Sequence, residues 1–192
     1  MIKHTEFNML LYIHGFNSSS QSGKAQESKR WLEARQRGDE WVCPDLPNRP
    51  AEALQVLCQI IENSPTPVKL VGSSLGGFYA TALVAKYNIK AVLINPAVHS
   101  GLLLRAALGT VTHYYTHESY EFTQTYLDDL TAMDQAIPAY PEKMLLMVET
   151  GDEVLDYRDA VAYYRQSHQL IFQGGDHGFT RFADVMDLID RF

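Results

Sequence analysis

The sequence predicts an α/β protein: a three-layer sandwich with about six strands in a mainly parallel sheet and helices on both faces. Short apolar runs alternate with longer amphipathic stretches from one end of the chain to the other. Several of the runs are apolar at every position, as expected of strands covered on both sides. Proline punctuates the boundaries between the two kinds of segment.

In chain order, the expected strands are 9–14, 41–44, 68–73, 91–95, 144–149 and 169–173. The expected helices are 23–36, 51–63, 75–87, 123–136, 157–164 and 179–192. Pro65 and Pro67 separate the second helix from the third strand, and Pro96 follows the fourth strand. Pro138 and Pro141 close the fourth helix, before the fifth strand, because a ring nitrogen cannot continue its hydrogen-bond ladder. A single domain over residues 1–192 accounts for this order, with one anomaly. The interval 97–142 is long for a connection and could hold a short lid insertion or extra core. Within it, 102–108 can form a helical turn or two, and Tyr114, Tyr115, Tyr120, Phe122 and Tyr126 form a dense aromatic group.

Composition narrows the function. The chain has 192 residues, 46% hydrophobic and 20% charged, which are globular values. A net charge of −7 offers no basic footprint for nucleic acid. No apolar run approaches the ~18 residues that would span a bilayer. Lys3 supplies a positive charge, but the run Met-Leu-Leu-Tyr-Ile at 9–13 is too short for the core of an export signal. Cys43 and Cys58 have no spacing that suggests a disulfide framework or a zinc site, and read as buried thiols in a reducing compartment. The expectation is a cytoplasmic domain without metal or cofactor. His113 and His117, four residues apart, would share a helix face, but the intervening Tyr114 stands where a metalloprotease helix needs Glu. Asp184, Asp187 and Asp190 recur every third residue and read as a solvated helix face.

The chemistry centres on Gly72-Ser73-Ser74-Leu75-Gly76, a G-x-S-x-G sequence between the strand Val68-Lys69-Leu70-Val71 and a helix-forming run. Small residues at 72 and 76 permit a tight turn and close packing of helix on strand. Ser74 would then project beyond the carboxyl edge of the sheet. A serine hydroxyl is a weak nucleophile at neutral pH and needs a base. Of the seven histidines, His177 lies in Gly174-Gly175-Asp176-His177-Gly178-Phe179, a loop that follows the last strand and so shares the edge of Ser74. His4 and His168 precede strands and belong to the opposite edge. His99 is at the right edge but has no evident acid loop beside it.

An imidazole base needs an acid to hold its tautomer. Asp152 comes first off the fifth strand and is the expected acid; Asp156 is its rival, unless it caps the helix at 157, and Glu153 reads as solvated. The backbone N–H groups of Leu75, at a helix start, and Phe16, in the loop His14-Gly15-Phe16-Asn17, are the expected oxyanion donors. His14 is expected to brace that loop.

The HGF loop at 14–16, the G-x-S-x-G at 72–76, the GDEV loop at 151–154 and the GGDHGF loop at 174–179 together resemble the α/β-hydrolase superfamily. The HGFNSS opening and the ETGDEVLDYR stretch resemble, more narrowly, the YqiA family of small bacterial esterases. The order Ser, acid, His along the chain is that of the superfamily. The resemblance implies a serine esterase that hydrolyses small-molecule carboxylic esters, or acyl-CoA thioesters, without metal or cofactor; a short lid would fit small to medium acyl groups better than long chains. The alternatives are an acyl-CoA thioesterase, another serine hydrolase, or a non-catalytic binding protein on the same scaffold. It also implies a sheet lacking the first two of the superfamily's eight strands. The oligomeric state and the physiological substrate stay open.

Overall fold

The computed structural model describes residues 9–192. Six parallel strands form the main sheet: β1 (Met9–Ile13), β2 (Trp41–Val42), β3 (Val68–Ser73), β4 (Ala91–Ile94), β7 (Met144–Glu149) and β8 (His168–Phe172), in the order β2-β1-β3-β4-β7-β8. The connecting helices are α1 (Gly23–Glu33), α2 (Pro50–Glu62), α3 (Leu75–Tyr87), α5 (Gln124–Met133) and α6 (Tyr157–Tyr163), and α7 (Phe182–Arg191) follows the last strand. The expected α/β sandwich is therefore the fold.

Strand alternation builds two cores. Leu10 and Tyr12 of β1, with Leu145 and Met147 of β7, face α1 and α7, where Leu32, Phe182, Met186 and Ile189 pack against them. Leu11 and Ile13, with Leu146 and Val148, face the opposite way onto α2, α3 and α6. In α7 the buried positions 182, 185, 186 and 189 trace one helical stripe. Asp184 and Asp187 are exposed, as expected of a solvated face, whereas Asp190 is half-buried. Asp190 pairs with Arg37 at 2.9 Å and Asp187 with Arg35 at 3.2 Å, tying α7 to the end of α1.

Several boundaries are shorter than the residue pattern suggests. α1 stops at Glu33 because Gln36 turns into the left-handed region at φ 60°. α7 begins at Phe182 rather than 179 because Phe179 has φ 59° and closes a turn onto the Asp176 carbonyl. β2 pairs over two residues only, ending before Cys43 and Pro44.

The segment 97–142 contains the anticipated helical turns, α4 (Ser100–Leu103) and a 3₁₀ turn over Leu104–Ala107. It also contains an unanticipated antiparallel hairpin, β5 (Gly109–Thr112) and β6 (Ser119–Phe122). His113 and His117 sit in the turn of that hairpin and do not share a helix face; His117 is left-handed at φ 60°. The aromatic group divides. Phe122 is buried, Tyr120 and Tyr126 pack against the core, and Tyr114 and Tyr115 are exposed.

The chain leaves β1 toward β2 on one side and β3 toward β4 on the other, so the strand order reverses between β1 and β3. The crevice at the carboxyl ends of two such strands is where this architecture leaves room for a ligand.

Candidate active site

Ser74 stands at that crevice, between the end of β3 and the start of α3, with φ 55° and ψ −121°. This conformation is strained for a residue with a side chain, and the surrounding packing imposes it. A Cβ on Gly72 would lie 2.3 Å from the Gly76 carbonyl oxygen, and one on Gly76 would lie 2.0 Å from that of Ile13. Only hydrogen fits at either position. The turn is therefore tight enough to leave Ser74 partly exposed between buried neighbours.

The structure brings Ser74, His177 and Asp152 together. Ser74 Oγ is 3.1 Å from His177 Nε2, and His177 Nδ1 is 2.8 Å from Asp152 Oδ2 and 3.0 Å from Oδ1. The Asp152 side chain is 2% exposed. Burial pushes its carboxyl up, but the hydrogen bond from His177 and the N–H groups of Leu155 and Val154 outweigh burial, and the group lies below the usual range. Asp156 does not approach His177; it caps α6, accepting from the Arg158 N–H at 2.9 Å.

Two residues that sequence reasoning missed hold the histidine loop. Glu149, fully buried at the end of β7, accepts from the N–H groups of Asp176 and Thr180, the Thr180 hydroxyl and Arg181 Nη1, all at 2.8–2.9 Å. Burial raises its carboxyl, and these donors more than reverse the effect, so that it too lies below its ordinary value. Asn95, past the end of β4, donates to the Asp176 carbonyl at 3.0 Å and accepts from the Glu149 N–H. A glutamate ending an otherwise apolar strand was the available signal. Glu153, expected to be solvated, accepts from the His177 N–H at 3.0 Å.

Phe16 and Leu75 both border the Ser74 crevice. Leu75 is the first residue of α3, so its N–H has no partner within the helix. Phe16 follows Gly15, whose Cα hydrogen points at Ser74: a Cβ there would lie 3.2 Å from Ser74 Cβ. His14 braces the loop as anticipated, bonding the Gly15 carbonyl through Nδ1 and accepting from the Leu46 N–H through Nε2. Burial lowers its affinity for a proton, in keeping with a neutral ring that both donates and accepts.

The β5–β6 hairpin is fastened to the same loop. Tyr120 donates to Asn17 Oδ1 at 2.6 Å, the Tyr114 N–H donates to the Asn17 carbonyl, and His113 Nε2 bonds the Ser18 carbonyl. Phe122 packs edge-on against the Phe16 ring, with centroids 5.5 Å apart.

The remaining histidines lie elsewhere. His99 has an acid partner after all: its Nδ1 is 2.8 Å from Asp134 Oδ2, beyond α5, and its ring packs on Tyr163. It does not border the crevice. His168 opens β8 at the opposite edge, against Phe192. His4 and Lys3 lie outside the described residues.

The crevice widens into a cavity of about 740 Å³. Leu103, Leu104, Tyr114, Tyr115, Val154 and Leu155 give it an apolar wall. Lys24, in the first turn of α1, lies in the same wall, and its Nζ donates to the Gly178 carbonyl at 2.8 Å. Burial lowers the Lys24 pKa against the pull of Asp176, Asp152 and Glu149. Among the described residues, no group of three or more His, Cys, Asp or Glu is placed to hold a metal ion. Nor is any helix there long and apolar enough to cross a membrane.

Among solved structures, the fold is similar to alpha/beta hydrolase domain-containing protein 10 from mouse, at 16% identity and a TM-score of 0.72 over 95% of this chain and 89% of that one. It is similar to Est1E from Butyrivibrio proteoclasticus, at 14% identity and 0.72 over 96% and 86%. It is similar also to the Paleococcus ferrophilus monoacylglycerol lipase, at 14% and 0.64 over 95% and 93%. Together with the parallel sheet and the turn at Ser74, these likenesses establish the α/β-hydrolase fold. Residues 9–192 match the family described as "Uncharacterised protein family (UPF0227)", and the chain belongs to that YqiA-like family.

Proposed function

We propose that the chain is a serine esterase that hydrolyses carboxylic esters of small to medium acyl groups through an acyl-enzyme. The carrying observation is the chain of hydrogen bonds from Ser74 Oγ through His177 to Asp152, opening on an apolar cavity. His177 Nε2 takes the hydroxyl proton as Ser74 Oγ attacks the ester carbonyl. The carbonyl oxygen becomes an oxyanion that the Phe16 and Leu75 N–H groups receive. As the tetrahedral centre collapses, the bond to the alcohol oxygen breaks, and His177 returns its proton to that oxygen. Water, deprotonated by the same nitrogen, then attacks the acyl-serine; the acid leaves and Ser74 regains its proton. Asp152 holds the ring with Nε2 toward the serine and stabilises the imidazolium.

Relatives in fold named as an esterase domain, from a Rhodothermus marinus protein, and as a monoacylglycerol lipase are consistent with this reading. The same atoms would open a thioester, and paired oxygen and sulfur esters of one acyl chain separate the two activities. The decisive experiment is fluorophosphonate labelling of the protein, with the adduct mapped by mass spectrometry. A stoichiometric adduct on Ser74 is expected. A folded protein that takes no adduct there would overturn the mechanism and favour a binding role.

A further inference from the structure

Lys24 is the only Lys, Arg, Asp or Glu among the described residues that line the Ser74 cavity. Lys24 is half-buried there, so its ammonium group loses part of its hydration, which an acceptor offsets. It carries three protons. One goes to the Gly178 carbonyl, and the other two have no acceptor among the described residues. The nearby carboxylates are already engaged: Asp152 by His177 and two backbone N–H groups, Glu149 by Arg181, Thr180 and Asp176.

The position of Lys24 says which part of a substrate it meets. Gly178 follows His177 directly, and the leaving oxygen or sulfur must come within reach of His177 Nε2 to receive its proton. A group bonded to the histidine loop therefore flanks the leaving group rather than the acyl chain. We infer that Lys24 is a specificity-determining residue that favours substrates whose leaving group carries an anionic oxygen, as a carboxylate or a phosphate. This rests on the hydrolase reading of the same cavity.

The test compares 4-butyryloxybenzoate with its neutral amide, 4-butyryloxybenzamide, which share the acyl chain and the aryl frame. The phosphate analogue, 4-butyryloxyphenyl phosphate, separates the two anions. The readout is the ratio of kcat/KM on the anionic substrate to that on the neutral one, within each protein. The ratio should fall about five- to tenfold in Lys24→Met, recover in Lys24→Arg, and shrink in wild type as salt is raised. A ratio unchanged in Lys24→Met overturns the inference, including the case in which both rates drop together, which would make Lys24 a support of the histidine loop alone. Calorimetric binding of the uncleavable ethers 4-butoxybenzoate and 4-butoxybenzamide reads the same subsite without chemistry. Anion preference in binding, lost in Lys24→Met, in a protein that cleaves neither ester would sink the hydrolase reading and leave the subsite standing. Equal binding of the two ethers would remove the subsite.

Discussion

Glu149 Oε2 accepts the Asp176 backbone N–H at 2.9 Å, so the last side chain of β7 fixes the residue next to His177. The carboxylate is wholly buried and serves two turns of the loop at once, through Asp176 and through Thr180. Its partners are not optional, since a buried carboxylate stripped of donors would cost several kcal/mol.

Glu149→Gln should therefore destabilise the protein by about 2–3 kcal/mol at neutral pH, because the amide can accept on one side only. The pH dependence has a definite sign. Glu149 and Asp152 both have folded pKa values below their unfolded ones, so their contribution is complete above the unfolded carboxylate range and is lost as pH falls through the folded values. Chemical denaturation at pH 7 and at pH 3.5 should show wild type losing more stability on acidification than Glu149→Gln. Equal losses would remove Glu149 from the acid-sensitive set.

Asp152 and Asp156 should separate cleanly. Asp152→Asn should lower kcat by about three to four orders of magnitude by presenting the wrong tautomer of His177. Asp156→Ala removes a helix cap and should cost about 1 kcal/mol in denaturant unfolding, with kcat within about twofold of wild type. Stopped assays on a chromogenic butyrate ester, with unfolding curves on both variants, decide the matter.

Ser74→Ala should lower kcat by about 10⁴-fold or more and abolish fluorophosphonate labelling while leaving the unfolding midpoint near wild type or above it. Alanine keeps the Cβ and so the backbone strain at φ 55°; a rise in stability would come only from removing a hydroxyl placed for catalysis rather than for packing.

Tyr120→Phe removes only the hydroxyl that holds Asn17, at a cost of about 1 kcal/mol in stability. If Phe16 supplies an oxyanion donor, loosening its loop should lower kcat several-fold with little change in KM. A change in KM alone would assign the hairpin to substrate binding instead.

Much of this site was legible before the structure because its constraints are local. The spacing of Gly72, Ser74 and Gly76 encodes a turn in which a Cβ at either glycine collides with backbone, and a neighbouring strand and helix are enough to recognise it. The loops after β3, β7 and β8 share an edge because parallel strands put them there. The contributions of Glu149 and Lys24 could not be read in this way. Glu149 meets its partners 27 to 32 residues onward, and Lys24 meets Gly178 across 154. His99 likewise finds Asp134 only when α5 folds back over α4. The β5–β6 hairpin escaped notice because its four-residue strands have half-exposed faces and too few residues to show a period.

The fastening of that hairpin to residues 16–18 sets a condition on how substrate enters. Swinging the hairpin outward would break the bonds from Tyr120, Tyr114 and His113 and pull on the backbone that carries the Phe16 N–H. Such an opening would disarm the proposed oxyanion donor for as long as it lasted. Entrance and chemistry are in that sense interlocked: only a hairpin that stays latched keeps that N–H in place through the turnover.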